Sequence, residues 1–328
     1  MHNASWIVLP TQALIVCFSL LSCQNAPLPN TVTFAKTLSS YGLYQGPMGE
    51  LTPSPGVDIY ELASPLFTDY ADKQRLMLLP EGARMVANDA GLPDFPEGSL
   101  LAKTFYYNEH FARGITSRRV LETRLLLLHE GIWNAATYRW NEAQDEAFLL
   151  TTGTETSITF LDPTGKKRNT VYQIPTNMDC QSCHKQGDVM SPLGPKARNI
   201  NVVVDKNGQS HNQLDYLRQQ GKLVTTTSNF PTTPNYEDLR LDLVQRARAY
   251  LDLNCAHCHN SQGNAFYMGL DLGLETPSAM TNLRKKGAEV FSRMTVSGEL
   301  HMPKIGTTMH HDEGISLIKE YLQTLSTR

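Results

Sequence analysis

Between residues 60 and 175 apolar and polar positions alternate in short runs. The runs are "LLAKTFYY" (100–107), "VLETRLLLLH" (120–129), "IWNAATYRWN" (132–141), "EAFLLTT" (146–152) and "TSITFL" (156–161). They are rich in β-branched and aromatic residues, and turn residues such as "EGI" and "DPTG" separate them, so they predict strands. "VLETRLLLLH" also reads as a helix, because a short apolar run does not fix its own period. A sandwich-like or barrel-like β-rich unit follows from this pattern. Trp133, Trp140 and the tyrosines within 106–138 read as core filling, the alternative being a surface that binds a partner protein or glycan.

The period lengthens after Pro175. "HNQLDYLRQQG" (211–221) sets Leu214 and Leu217 on one helical face and closes on Gly221. "TTTSNFPTTPNY" (225–236) has linker composition. "EDLRLDLVQRARAYLDLNCAHCH" (237–259) predicts a helix over 237–253 with Leu239, Leu243, Ala247, Tyr250 and Leu251 on one face. "HDEGISLIKEYLQTL" (311–325) predicts a last helix over 312–325, with Asp312 as N-cap and Ile315, Ile318, Leu322 and Leu325 in a stripe. The expected fold class is α+β and multidomain: a β-rich domain over 60–175, then mostly helical segments over 176–224 and 237–328, joined by a linker at 225–236.

The N-terminus changes the picture of where the chain works. Residues 13–22, "ALIVCFSLLS", are apolar but too short to span a bilayer comfortably. The "LLSC" that ends at Cys23 resembles the lipobox of bacterial lipoproteins, although residues 1–12 hold no Lys or Arg. That resemblance implies a signal peptide over 1–22, a lipid on Cys23 and an exported, periplasmic protein anchored at the outer membrane, with 23–59 as tether and irregular lead-in. Cys17 fits less well, since Val16 before it is bulky. A net charge of −3 over 328 residues, with only "GKKR" (165–168) as a basic run, points to no nucleic-acid partner.

Of the six cysteines, four form two copies of C-x-x-C-H: "CQSCH" (180–184) and "CAHCH" (255–259). This is the attachment sequence of c-type haem, with two thiols for the porphyrin vinyl groups and an adjacent histidine for the iron. It predicts two haem c groups, one held by Cys180 and Cys183 with His184 as axial ligand, the other by Cys255 and Cys258 with His259. His257 reads as a solvent-facing spacer. Three alternatives compete. Zinc would need pairs that start at 180 and 255 to meet, well beyond zinc-ribbon spacing. A thioredoxin-type pair needs no following histidine. Disulfides leave both histidines unexplained. For the first haem's distal ligand the candidates are Met190 and His211, with His110 and His129 more remote and an open position also possible.

Residues 237–328 further resemble a class I cytochrome c domain: a helix running into C-x-x-C-H, a closing C-terminal helix, and "MPKIG" (302–306) matching the family's M-P-x-x-G loop. The resemblance implies Met302 as distal ligand of the second haem, with His301, Met309, His310 and His311 as neighbouring rivals. The order of "YELASPLFTDYADKQRLMLLPEG" (60–82), "FPEGSLLAKTFYY" (95–107), "GIWNAATYRWNEAQDEAFL" (131–149), "CQSCHKQ" (180–186) and "YLDLNCAHCHN" (250–260) resembles a family of exported bacterial dihaem c-type cytochromes. Its members are largely uncharacterised lipoproteins, often paired with an exported parallel β-helix repeat protein. The resemblance implies electron transfer with redox partners in the cell envelope. The alternatives are a haem enzyme, such as a peroxidase or oxidase subunit with an open first iron, and a β binding module with a cytochrome attached. No nucleophile elbow and no H-E-x-x-H is present.

Overall fold

The computed structural model describes residues 32–110, 116–187, 189–227 and 229–326. Cys23, Cys17 and the expected signal segment lie outside these residues. The strands are β1 (Asp58–Ile59), β2 (Asp72–Leu78), β3 (Met85–Ala87), β4 (Leu100–His110), β5 (Thr116–His129), β6 (Ile132–Trp140), β7 (Ala147–Leu149), β8 (Thr154–Leu161) and β9 (Lys167–Ile174). Then come α1 (Asn177–His184), β10 (Lys185–Gln186), β11 (Val189–Met190), α2 (Ala197–Ile200), β12 (Val203–Lys206), β13 (Gln209–Asn212), α3 (Gln213–Gln219) and β14 (Leu223–Thr225). The chain finishes with α4 (Leu243–Asn254), α5 (Leu283–Thr295) and α6 (Asp312–Ser326).

One antiparallel sheet dominates, in the order β1-β2-β4-β5-β6-β7. It is open, with β1 and β7 as short edges, so of the expected sandwich-like or barrel-like forms the barrel does not hold. The ambiguous run at 120–129 is the long central strand β5. Apolar residues continue along both its faces because both faces are covered, which removes the simple alternation of a half-exposed strand. The fold is mixed α and β with strands dominant: residues 176–224, expected to be mostly helical, interleave the short helices α1, α2 and α3 with β10–β14, and only 237–326 is mainly helical.

Register sorts the residues onto two faces, since directly paired residues point the same way. Leu76, Ala102, Leu125 and Ala136 form one cross-strand row. They pack against Leu38, Leu43 and Leu51 of the N-terminal segment. Trp140 is buried on this face, and its Nε1–H donates to Thr123 Oγ1 at 3.0 Å. On the other face Met77, Leu101, Leu126 and Ala135 make an apolar row, covered by Met190, Ile200, Leu214, Leu217 and Phe230. Farther along that face Phe105 and Leu121 pack with Ile158, Phe160 and Tyr172 of the β8–β9 hairpin. Trp133, Trp140 and Tyr138 are core residues.

Arg75, Lys103, Arg124 and Thr137 form the row between those two apolar patches. A line of cations therefore crosses the middle of a covered sheet face.

The helices build a second apolar cluster from Tyr250, Leu251, Leu283, Met294, Leu317, Ile318 and Tyr321. Helix α4 begins later than the periodicity predicts. Asp238 accepts a hydrogen bond from the Arg240 backbone N–H (3.0 Å), closing a local turn. Asp242 then caps the helix through Gln245 N–H at 2.9 Å. Leu239 falls outside the helix and is 79% exposed. Asp312 is the first helical residue of α6 and not its cap; His311 carries the first accepting carbonyl, to Ile315 N–H at 2.8 Å.

The segment 225–236 is packed rather than free. Phe230, Thr233 and Tyr236 are buried, and Thr233 N–H donates to the Arg198 carbonyl at 2.9 Å. The buried Arg198–Asp252 pair, 2.7 Å, also ties the α2 region to α4. Residues Thr33–Arg328 form one contiguous unit. Among the described residues no helix is long and apolar enough to cross a membrane.

Candidate functional site

Helix α1 carries the first motif and is fixed at its start by a reciprocal capping box between Thr176 and Asp179. This turns Cys180 inward, where its Sγ lies 3.8 Å from Thr137 Oγ1 of the cation row. Burial raises the Cys180 thiol pKa. At the other end of α1, His184 Nδ1 is 2.9 Å from the Ser191 carbonyl. Ser191 N–H donates back to the His184 carbonyl at 2.8 Å. The first contact fixes the proton on Nδ1 and leaves Nε2 as the lone-pair nitrogen. Burial pushes His184 down to about 4, so the imidazole is neutral at pH 7 and fit to ligate.

Two adjoining recesses open beside α1. Both are lined by Leu66, Lys103, Arg124, Cys180, His184 and Leu193. Lys103 and Arg124 interrupt the apolar runs of β4 and β5 at matched register, and burial with its cationic neighbours holds Lys103 well below the usual lysine range. Arg124 is compensated by Glu122, while Lys103 contacts the Phe105 ring at 5.0 Å. An anion entering the recess meets donors already dehydrated, and this is the feature that reading the sequence missed. The signal was present: a lysine and an arginine inside otherwise apolar strand runs.

The second motif follows α4. Cys255 caps the helix, and burial pushes its thiol up to about 12. His259 N–H donates to the Cys255 carbonyl at 3.0 Å, and its own carbonyl accepts from Leu272 N–H at 2.9 Å. Burial lowers the His259 pKa, and its Nδ1 is buried with no partner among the described residues.

The two motifs meet. The sulfurs of Cys183 and Cys258 and a ring nitrogen of His257 all lie within 4.8 Å of one another. A hydrogen bond from Cys183 holds the Cys258 thiol low and its own thiol high. The loops are stitched together: Asn264 Nδ2 donates to the Ser182 carbonyl at 2.7 Å. Gly187 N–H donates to Gln262 O at 3.1 Å. Their separation in sequence had argued against a shared centre, and tertiary packing overrides it. His257, expected to be a solvent-facing spacer, lines the first recess, and its Nδ1 is buried without a partner among the described residues.

The other candidates fall elsewhere. Met190 is buried in the apolar cluster with Leu101 and Trp133. His211 lies on β13, with its ring 5.6 Å from Tyr216. Neither lines the recesses. Met302 is half-buried and its N–H donates to the Arg293 carbonyl at 2.9 Å. Its neighbours Pro303, Ile305, Gly306 and Thr307 line the first recess. His301 holds the Val296 carbonyl through Nδ1 (3.0 Å), leaving Nε2 buried and unpartnered among the described residues. The loop is tied to the sheet side by buried Asp69, which accepts from Thr308 N–H at 2.8 Å and Met309 N–H at 2.9 Å.

His311 stacks on Phe67, centroids 4.0 Å apart, and burial pushes it down to about 4. The unfolded chain takes up this proton near pH 6.5, the folded chain only near 4. Stability should therefore be full above pH 6.5 and fall as pH drops toward 4. Denaturation curves at pH 7 and 4.5 are expected to show a smaller acid loss in His311→Phe than in the parent. Equal losses would assign the acid sensitivity to other groups.

No family model, curated protein or solved structure matches this chain.

Proposed function

We propose that the chain is a dihaem c-type cytochrome that transfers electrons in the cell envelope. The observation that carries this reading is the donor set at the recess: the Cys180 and Cys183 thiols beside a neutral His184 whose Nδ1 is already engaged by Ser191. A covalently held haem supplies one-electron exchange at its iron, at a potential that a methionine ligand raises. Cys180 and Cys183 would hold the first group and His184 would ligate it. Lys103 and Arg124 would meet its propionates, and Leu66 and Leu193 would keep water from its faces.

Cys255 and Cys258 would hold the second group, with His259 as its proximal ligand. Met302 would complete that iron, with His301 as its rival on the same loop. Packing of α6 across α4 supports a cytochrome c-like arrangement over 237–328. Lipid attachment at Cys23, the outer membrane as location, and an exported β-helix repeat protein among the redox partners belong to the same proposal.

Cys183, Cys258 and His257 also favour a second reading, in which they bind a thiolate-seeking ion such as zinc with one coordination position left open. One experiment separates the two: a pyridine haemochrome assay with intact-mass analysis of protein made alongside a cytochrome c maturation system. Two covalent haems per chain are expected. Stoichiometric zinc without haem would transfer the site to the second reading.

A further inference from the structure

Two imidazoles line the first recess among the described residues, His184 and His257. They come from different motifs. His184 is committed through Nδ1 to Ser191, while His257, whose ring lies beside the Cys258 thiol, keeps Nδ1 buried with no partner among the described residues. A buried polar atom left unpaired is costly, and none of the described residues supplies a partner for this one. His257 is also firmly held. The Ser182–Asn264 hydrogen bond clamps its loop to α1 and the Gly187–Gln262 bond to the turn after β10, and Cys255 before it closes α4. Met190 and His211 are both excluded from the recess.

We propose that His257 would supply the second axial nitrogen to the iron of the haem that Cys180 and Cys183 attach and His184 ligates. The proposal rests on the haem reading above. It makes a spacer residue of one attachment motif a ligand at the other, so the two centres interlock. The first iron is then ligated by two imidazoles and closed to small ligands. The second, with methionine, sits at the higher potential, which orders the two centres for electron flow.

The test uses the full chain matured with covalent haem, as wild type, His257→Ala, His257→Met and Lys103→Met. Haem content per chain is determined first, followed by ferric electron paramagnetic resonance and cyanide binding. Wild type is expected to be wholly low-spin and slow to bind cyanide. In His257→Ala half of the iron should become high-spin and bind cyanide readily, and added imidazole should return it to low spin. His257→Met should stay low-spin and raise the potential of one centre, which keeps the test decisive if the alanine variant folds poorly.

Two haems with an unchanged low-spin spectrum in His257→Ala would overturn the assignment alone. So would wild type that is already half high-spin. The same opening seen in Lys103→Met but not in His257→Ala would move the ligand to Lys103. A chain that carries no covalent haem sinks the haem reading, and this ligand with it.

Discussion

Arg124→Met is expected to destabilise the protein by about 3–5 kcal/mol, because it strands a carboxylate inside the sheet. Glu122 is fully buried, and its carboxylate accepts from Arg124 Nε (2.9 Å), from Arg124 Nη2 and from the Tyr172 hydroxyl (2.6 Å). Methionine fills much of the arginine volume, so the loss would come from the unpaired charge and not from a void. Removing the acid as well, in Glu122→Gln with Arg124→Met, should recover more than half of the loss. Guanidinium denaturation of the four proteins measures this coupling directly. A single-variant loss below about 1 kcal/mol, the scale of exposed ion pairs, would mean that water reaches Glu122 and that the recess is wetter than its lining suggests.

Gly314→Ala should also destabilise, against the usual preference for alanine in helices. Glycine inside a helix normally costs roughly 0.5–1 kcal/mol relative to alanine. Here an added Cβ would lie 2.5 Å from Tyr250 Cζ and 2.6 Å from Cε2. Overpacking of this kind costs about 1–3 kcal/mol and wins. Helix α6 is held this close to α4 only because position 314 has no side chain. In a Tyr250→Ala background the collision disappears, and Gly314→Ala should become stabilising by about 0.5–1 kcal/mol. Thermal melts of the four variants would reveal the change of sign. A penalty that persists without the Tyr250 ring would show that the crossing is set elsewhere.

The strand runs of 100–161 and the closing helix were legible because their periodicity is local and strong. Leu214 and Leu217 are buried on α3 as their spacing implied. The start of α4 was not legible. The turn at Asp238 and the cap at Asp242 stop the helix where the apolar spacing would let it continue. Nor was the layout of the sheet. Nothing local to 100–107 says that Lys103 will pair with Arg75 on one side and Arg124 on the other. At the site, the cysteine and histidine spacing singled out the two motifs, but the meeting of Cys183 with Cys258 depends on how α1 and the end of α4 pack. Sequence distance carries no information about such a contact, so a shared centre was discounted and His257 was read as a spacer.

Cys180 is 7% exposed, beneath the sheet and against Thr137. Once the strands have assembled, that thiol shows little surface to an enzyme, and what it shows faces the recesses beside α1. If a porphyrin is to be bonded there, the bond is made more easily on a chain still emerging or still open. The finished protein is then assembled around its pigment, and a molecule that folds too early would hinder its own maturation.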